Sequence, residues 1–241
     1  MSIWGKILGG AAGFLVGGPL GALLGVTLGH YMADKKAAPQ DDDATARVTF
    51  TIGVVVLAAK MAKADGRVTR DEIQAFRSRF HVAEGEAANV ARVFNMAKED
   101  PAGFEIYARQ IAHMLRGRPA VLEELLDSLF LIAMADGTLH PAEEAFLREV
   151  ASIFGFDAQT FARIRASHAA PGTGDPYAVL GVAATATDAE IKAAHRKLVK
   201  EHHPDRLMAQ GMPQEFIDVA TDKLAAINAA YDRICRERGI R

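Results

Sequence analysis

Near the end of this 241-residue chain, Lys200-Glu201-His202-His203-Pro204-Asp205-Arg206 gathers two imidazoles, a carboxylate and cations around one proline. Proline fixes its own φ and keeps the preceding residue out of the helical region, so His203 and Asp205 are displayed on a stiff turn. Three readings compete for such a cluster. His202, His203 and Asp205 could ligate a metal, but no fourth donor is set nearby and Pro204 breaks the helical geometry that would align them. A basic helix could bind phosphates, yet acidic residues are interleaved through the segment and the formal charge of the chain is only −2, so no nucleic acid partner is indicated. The third is a merely solvated charged face, the default reading of such residues taken by themselves. Catalysis finds no support, because no nucleophile with a partnered base and no phosphate-cradling loop occurs, and no cofactor is called for.

The element that must position the loop can be read from its own residues. Thr187 stands three places before Glu190, a capping box that starts a helix near Asp188. Ile191, Ala194, His195, Leu198 and His202 recur at helical spacing as an inward stripe, while Lys192, Arg196 and Lys200 step by four along another face. One side packs and the other presents positive charge.

Four blocks in order, Asp175 to Val182, Ile191 to Leu198, His203-Pro204-Asp205 and Ala226 to Tyr231, together resemble a DnaJ-type J domain. The resemblance implies an antiparallel helix pair with a short helix before it, whose loop and basic helix dock on a DnaK-type chaperone and stimulate its ATP hydrolysis. It implies that Asp205 meets an arginine of that chaperone, that His203 and Pro204 shape the loop, and that Lys192, Arg196, Lys197 and Lys200 steer the encounter. Two positions depart from the family: His195 stands where Tyr or Phe is usual, and the loop from Arg206 to Pro213 is longer than in the shortest members.

Composition bounds the rest of the chain. Half of the residues are apolar and 24% are charged, enough for real cores and too little charge for a disordered chain. Cys235 is the single cysteine and cannot form an internal disulfide, which favours a reducing cytoplasm. Residues 7 to 33 carry no Asp, Glu, Lys or Arg. As a helix they would span about 40 Å, more than a bilayer core. With Trp4 and Tyr31 near its ends, the segment 1–33 reads as one transmembrane helix, and Lys35 and Lys36 lean its C-terminal side towards the cytoplasm. Gly9, Gly13, Gly17, Gly21 and Gly25 lie four apart, bare ridges on which two such helices could pack, so a homodimer or small oligomer is expected.

After a polar linker, 34–46, a helical region runs over 47–168 and contains an internal repeat. Ala64-Asp65-Gly66 to Glu72 corresponds to Ala135-Asp136-Gly137 to Glu143, each after an apolar helix. Thr69 with Glu72 makes a capping box, and Pro141 takes a first helical position. Asp-Gly and, after five intervening residues, Glu copies the second half of a calcium-binding EF-hand loop, but Met61, Lys63, Ile132 and Met134 replace the carboxylates of its first half. The repeat resembles the TerB family, a compact all-helical domain associated with tellurite resistance. Asp65, Glu72, Asp136 and Glu143 are candidates for a shared divalent site; the competing reading makes them caps and turn residues. A second linker, 169–174, precedes the J domain at 175–241.

The order of a glycine-rich span, a TerB-like domain and a C-terminal J domain resembles the DjlA family of bacterial membrane-anchored J proteins. The expectation is an all-α, single-pass inner-membrane protein with its C-terminal domains in the cytoplasm. It would act as a regulatory co-chaperone rather than an enzyme, its TerB-like and transmembrane parts choosing location and client. The alternative, to which His195 gives room, is a membrane-tethered TerB-like sensor or scaffold for metal or envelope stress, with a vestigial J domain.

Overall fold

The computed structural model describes residues 42–65, 84–99, 103–135, 137–168 and 174–240. All regular elements among them are helical, so the protein is all-α. Gly9, Gly13, Gly17, Gly21, Gly25, Asp65, Glu72 and Asp136 have side chains or positions outside the described residues, and so does the 1–33 span. Among the described residues no helix is long and apolar enough to cross a membrane.

Helix α1, Asp42–Asp65, opens inside the stretch whose composition reads as a linker. It is the axis of the first half of the fold. Its run Phe50, Ile52, Val54, Val55, Val56, Leu57, Ala58, Ala59 and Met61 is apolar on every side and buried on every side, as a helix without a polar face must be. Helices α2 (Glu84–Glu99), α3 (Phe104–Met114), α4 (Pro119–Ala133) and α5 (Pro141–Ile153) surround it. Gly53 permits the approach of two of them: a Cβ there would lie 3.0 Å from Leu125 Cδ1 and 3.2 Å from Ile111 Cδ1. Lys60 stays within this core by setting its ammonium 5.1 Å from the Tyr107 ring centroid.

Local chemistry ends and restarts these helices. Pro119 and Pro141 occupy first helical positions, where their missing N–H would be unpaired in any case. Glu143 reaches back to accept from the His140 backbone N–H at 3.0 Å. Gly155, with φ of 86°, closes α5 in a Schellman turn in which the Phe156 N–H returns to the Ala151 carbonyl at 2.9 Å. Asp157 then caps α6, Ala158–Ser167, by accepting from the Thr160 N–H.

The second half is a helix pair. The short α7 (Pro176–Leu180) precedes α8 (Asp188–Glu201), then α9 (Pro204–Ala209), a 3₁₀ turn (Gln214–Phe216) and the long α10 (Ile217–Arg238). The capping box of Thr187 and Glu190 is formed, the Thr187 N–H donating to Glu190 Oε2 at 2.7 Å. Val179, Leu180, Ile191, Leu198, Ile227, Ala230 and Ile234 make the core of this pair.

The two cores meet along α10. With 22 residues the helix is about 33 Å long. Its C-terminal part packs on α8, whereas Val219 and Ala220, together with Leu207, Met212 and Phe216, complete the core built around α1. Phe216 lies edge-on to Phe50 with ring centroids 4.8 Å apart. On the other flank, Gln159 of α6 donates to the Gly181 carbonyl after α7 at 2.9 Å. The segment following the proline loop is therefore embedded in the preceding domain.

Candidate functional site

The loop has the shape that Pro204 dictates. His203 caps α9 with extended backbone, φ −64° and ψ 129°, and its Nδ1 accepts from the Asp205 N–H at 3.3 Å. That bond fixes the ring and leaves Nε2 as the outward nitrogen. The side chains of His203 and Asp205 are 51% and 83% exposed, with the Asp205 carboxylate 3.9 Å from the ring nitrogen. On α8, Arg196, Lys197 and Lys200 are exposed and Lys192 is half-buried. Arg196 Nε donates to the Lys192 carbonyl at 3.1 Å, which holds one guanidinium along the helix. A carboxylate acceptor, an imidazole N–H donor and a row of cations therefore share one accessible region.

His195 is satisfied within the helix pair. Its ring stacks on Tyr231 with centroids 4.0 Å apart and an interplanar angle of 4°. Its Nε2 lies 2.9 Å from Asn228 Oδ1. The imidazole thus retains the flat contact of an aromatic residue and adds a cross-helix hydrogen bond.

His202 is buried as its place on the inward stripe requires, but its neighbours belong to α4 rather than to the helix pair. Nδ1 lies 2.7 Å from Glu124 Oε1 and Nε2 3.2 Å from Glu123 Oε1. Lys223 of α10 enters the same pocket, its Nζ 2.7 Å from Glu123, 3.1 Å from Glu124 and 3.8 Å from Asp127. Arg163 of α6 closes on Glu123 Oε2 at 2.6 Å. His168 binds Asp127 at 3.0 Å while stacking on Phe130. Three carboxylates from one face of α4 are thereby joined to cations and imidazoles from α6, the end of α8, and α10.

Burial on its own would raise the Glu123 carboxyl, but Lys223, His202 and Arg163 outweigh it and hold that group well below the usual carboxylate range. Asp127 moves the same way: burial pushes it up, and Lys223 with His168 pulls it down further. Burial would likewise lower the Lys223 ammonium, yet Asp127, Glu123 and Glu124 raise it above its ordinary value. Glu123, Asp127 and Lys223 thus each have their charged form favoured by the opposite charges beside them.

None of Glu123, Glu124, Asp127, Arg163, His168 or Lys223 was marked by the loop motif. A signal was nevertheless present. In Pro119–Ala133, three acids and Ser128 interrupt an apolar helix, and Lys223 falls on the Val219, Ile227, Ala230 stripe of α10. Charged residues on a packing stripe require charged partners. Of the candidate divalent site, only Glu143 has a described side chain, and it acts as a helix cap. Among the described residues no group of three or more His, Cys, Asp or Glu has the geometry to hold a metal.

Three family profiles match the chain in succession: the co-chaperone DjlA transmembrane domain over residues 1–48, the tellurite resistance protein TerB over 51–166, and the DnaJ domain over 175–239. A relative from Photobacterium profundum, named co-chaperone protein DjlA, is 34% identical over 278 residues, covering 99% of this chain and all of the relative. A relative of that name from Aliivibrio fischeri is 34% identical over 283 residues, and one from Escherichia coli is 31% identical over 273, each covering both chains end to end. No solved structure matches.

Proposed function

This chain belongs to the DjlA family of co-chaperones, and from that premise we propose that its J domain docks on a DnaK-type chaperone and accelerates hydrolysis of the ATP which that chaperone holds. The observation that carries the reading is the exposed pair His203 and Asp205 on a turn stiffened by Pro204, beside the cations of α8. A carboxylate so displayed can receive an arginine of the partner through two parallel hydrogen bonds. Lys192, Arg196, Lys197 and Lys200 attract an acidic surface and orient the encounter before contact. The relatives are named co-chaperones, and we assign the hydrolytic chemistry to the partner.

The apolar stretch 7–33 and the transmembrane family profile support anchoring in a membrane. We read it as a single pass through the bacterial inner membrane with the described domains in the cytoplasm, where the partner finds ATP. The glycine series Gly9, Gly13, Gly17, Gly21 and Gly25 supports self-association of that span, and the TerB-like part supports selection of clients. The sensor alternative draws no support from His195, whose stacking and hydrogen bond serve the helix pair.

Single-turnover ATP hydrolysis by a DnaK-type chaperone, titrated with the full chain in lipid nanodiscs, tests the reading. The wild type is expected to accelerate hydrolysis, and His203→Gln or Asp205→Asn to return it to the basal rate with helicity unchanged by circular dichroism. Equal acceleration by well-folded variants would refute it.

A further inference from the structure

The buried carboxylates of α4 lie next to the docking loop although they are about eighty residues away in the chain. His202 is the residue before His203, ends α8 with φ −101° and ψ 15°, and is 1% exposed. Its two ring nitrogens face Glu124 and Glu123. A ring hydrogen-bonded at Nδ1 to Glu124, with Nε2 3.2 Å from Glu123, is fixed in tilt and rotation as an apolar side chain of the same volume would not be. On the other side of the tripeptide, Leu207 is fully buried in the core around α1, and Arg118 at the start of α4 donates to the Gln210 carbonyl. The tripeptide 203–205, with His203 and Asp205 exposed, is thus gripped before and after by the TerB-like domain.

The helix pair by itself does not provide this grip. Its apolar core consists of Val179, Leu180, Ile191, Leu198, Ile227, Ala230 and Ile234, whereas Leu207 belongs to the core around α1. A buried charge set is also a poor choice if stability alone were needed, because apolar residues of similar volume commonly stabilise as well or better. What paired charges add is a defined orientation.

We propose that Glu124, assisted by Glu123, is a positioning residue for the docking loop: through His202 it sets the angle at which His203 and Asp205 meet the chaperone. The TerB-like domain would then be a working part of the J domain as well as its neighbour. This inference rests on the co-chaperone reading above.

The test uses the full chain in nanodiscs. Glu124→Gln should lower the maximal acceleration of ATP hydrolysis by about tenfold, the scale of losing one hydrogen bond to a charged group. The concentration giving half-maximal effect should change less than about twofold, because the steering cations of α8 are untouched. Hydrogen exchange should quicken at residues 205–207 while the amides of 191–198 stay protected, which separates a loosened loop from a melted hairpin. Because Glu124 acts through His202, Glu124→Gln should add nothing further in a His202→Gln background. Should Glu124→Gln fold poorly, Arg118→Gln releases the far end of the loop from outside the buried cluster and should give the same signature. Wild-type maximal acceleration and wild-type exchange in a folded Glu124→Gln chain would overturn the proposal, as would fully additive effects of the two substitutions. If the wild type itself fails to accelerate hydrolysis, the co-chaperone reading falls, and the exchange experiment alone decides whether α4 holds the loop.

Discussion

Replacing Lys223 by Met tests the charge arrangement that joins the two halves of the fold. The Lys223 ammonium faces three carboxylates at 2.7, 3.1 and 3.8 Å and its side chain is 1% exposed. Met nearly conserves its volume, so little of the effect comes from a cavity. What remains is Glu123, Glu124 and Asp127 against one permanent cation, Arg163, and the imidazoles of His202 and His168. Removing one partner of a buried ionic set destabilises by about 3–5 kcal/mol. For a unit of this size that lowers Tm by roughly 6–20 °C.

A pH dependence should also appear where the wild type has none. In the wild type, Glu123 and Asp127 are depressed below their ordinary values of 4.5 and 3.8, so their stabilisation is complete above those values and is lost as pH falls below them and through the lower values of the folded chain. Lys223 is raised above 10.5, so its contribution is complete below that value and is lost only as pH rises through the higher one. Between about pH 5 and 10 these groups leave wild-type stability flat. Without Lys223 the upward push of burial on the carboxyls is no longer outweighed by the nearest cation. They then bind protons more readily in the folded chain, and stability should rise as pH is lowered from 7 towards 5. Thermal and urea unfolding of the full chain in detergent, followed by circular dichroism, would measure both effects. Adding Glu124→Gln, which restores the original charge balance, should recover a substantial part of the loss. A loss under about 1 kcal/mol, the size of an exposed pair, with no change in slope, would refute this account of the junction.

Two further expectations concern the exposed face of α8 and the N-terminal span. Arg196→Glu should raise the half-maximal concentration for ATPase acceleration by about tenfold at low salt and much less at high salt, since it acts on screened steering rather than on the loop; a salt-independent defect would argue against that role. Gly17→Leu with Gly21→Leu should abolish crosslinking between copies in membranes by holding the helices apart, and undiminished crosslinking would remove the glycine ridge as the contact.

The features that rest on neighbouring residues were legible directly. The capping box at Thr187 and Glu190, the non-helical His203 before Pro204, and the first-turn prolines Pro119 and Pro141 all stand where local chemistry puts them. The inward stripe of α8 also holds: Ile191, Leu198 and His202 are buried, with Ala194 and His195 half-buried. At His202, however, periodicity reported that the side chain is covered without reporting by what. Nothing in residues 188–202 distinguishes a partner on α10 from one on α4.

By itself, then, the sequence determined the helical elements, the exposed loop and the basic face, together with the family resemblance that orders the parts. These depend on dihedral limits, caps and i, i+4 spacing, all set within a few residues. Only the tertiary structure decided that α10 belongs to two cores, that Phe216 rests on Phe50, and that the acids of α4 close on His202 and Lys223. Those contacts join residues separated by roughly eighty to one hundred and seventy positions. A charged side chain on an apolar stripe states only that some opposite charge must meet it, and which one does so is settled when the helices pack and water is excluded between them.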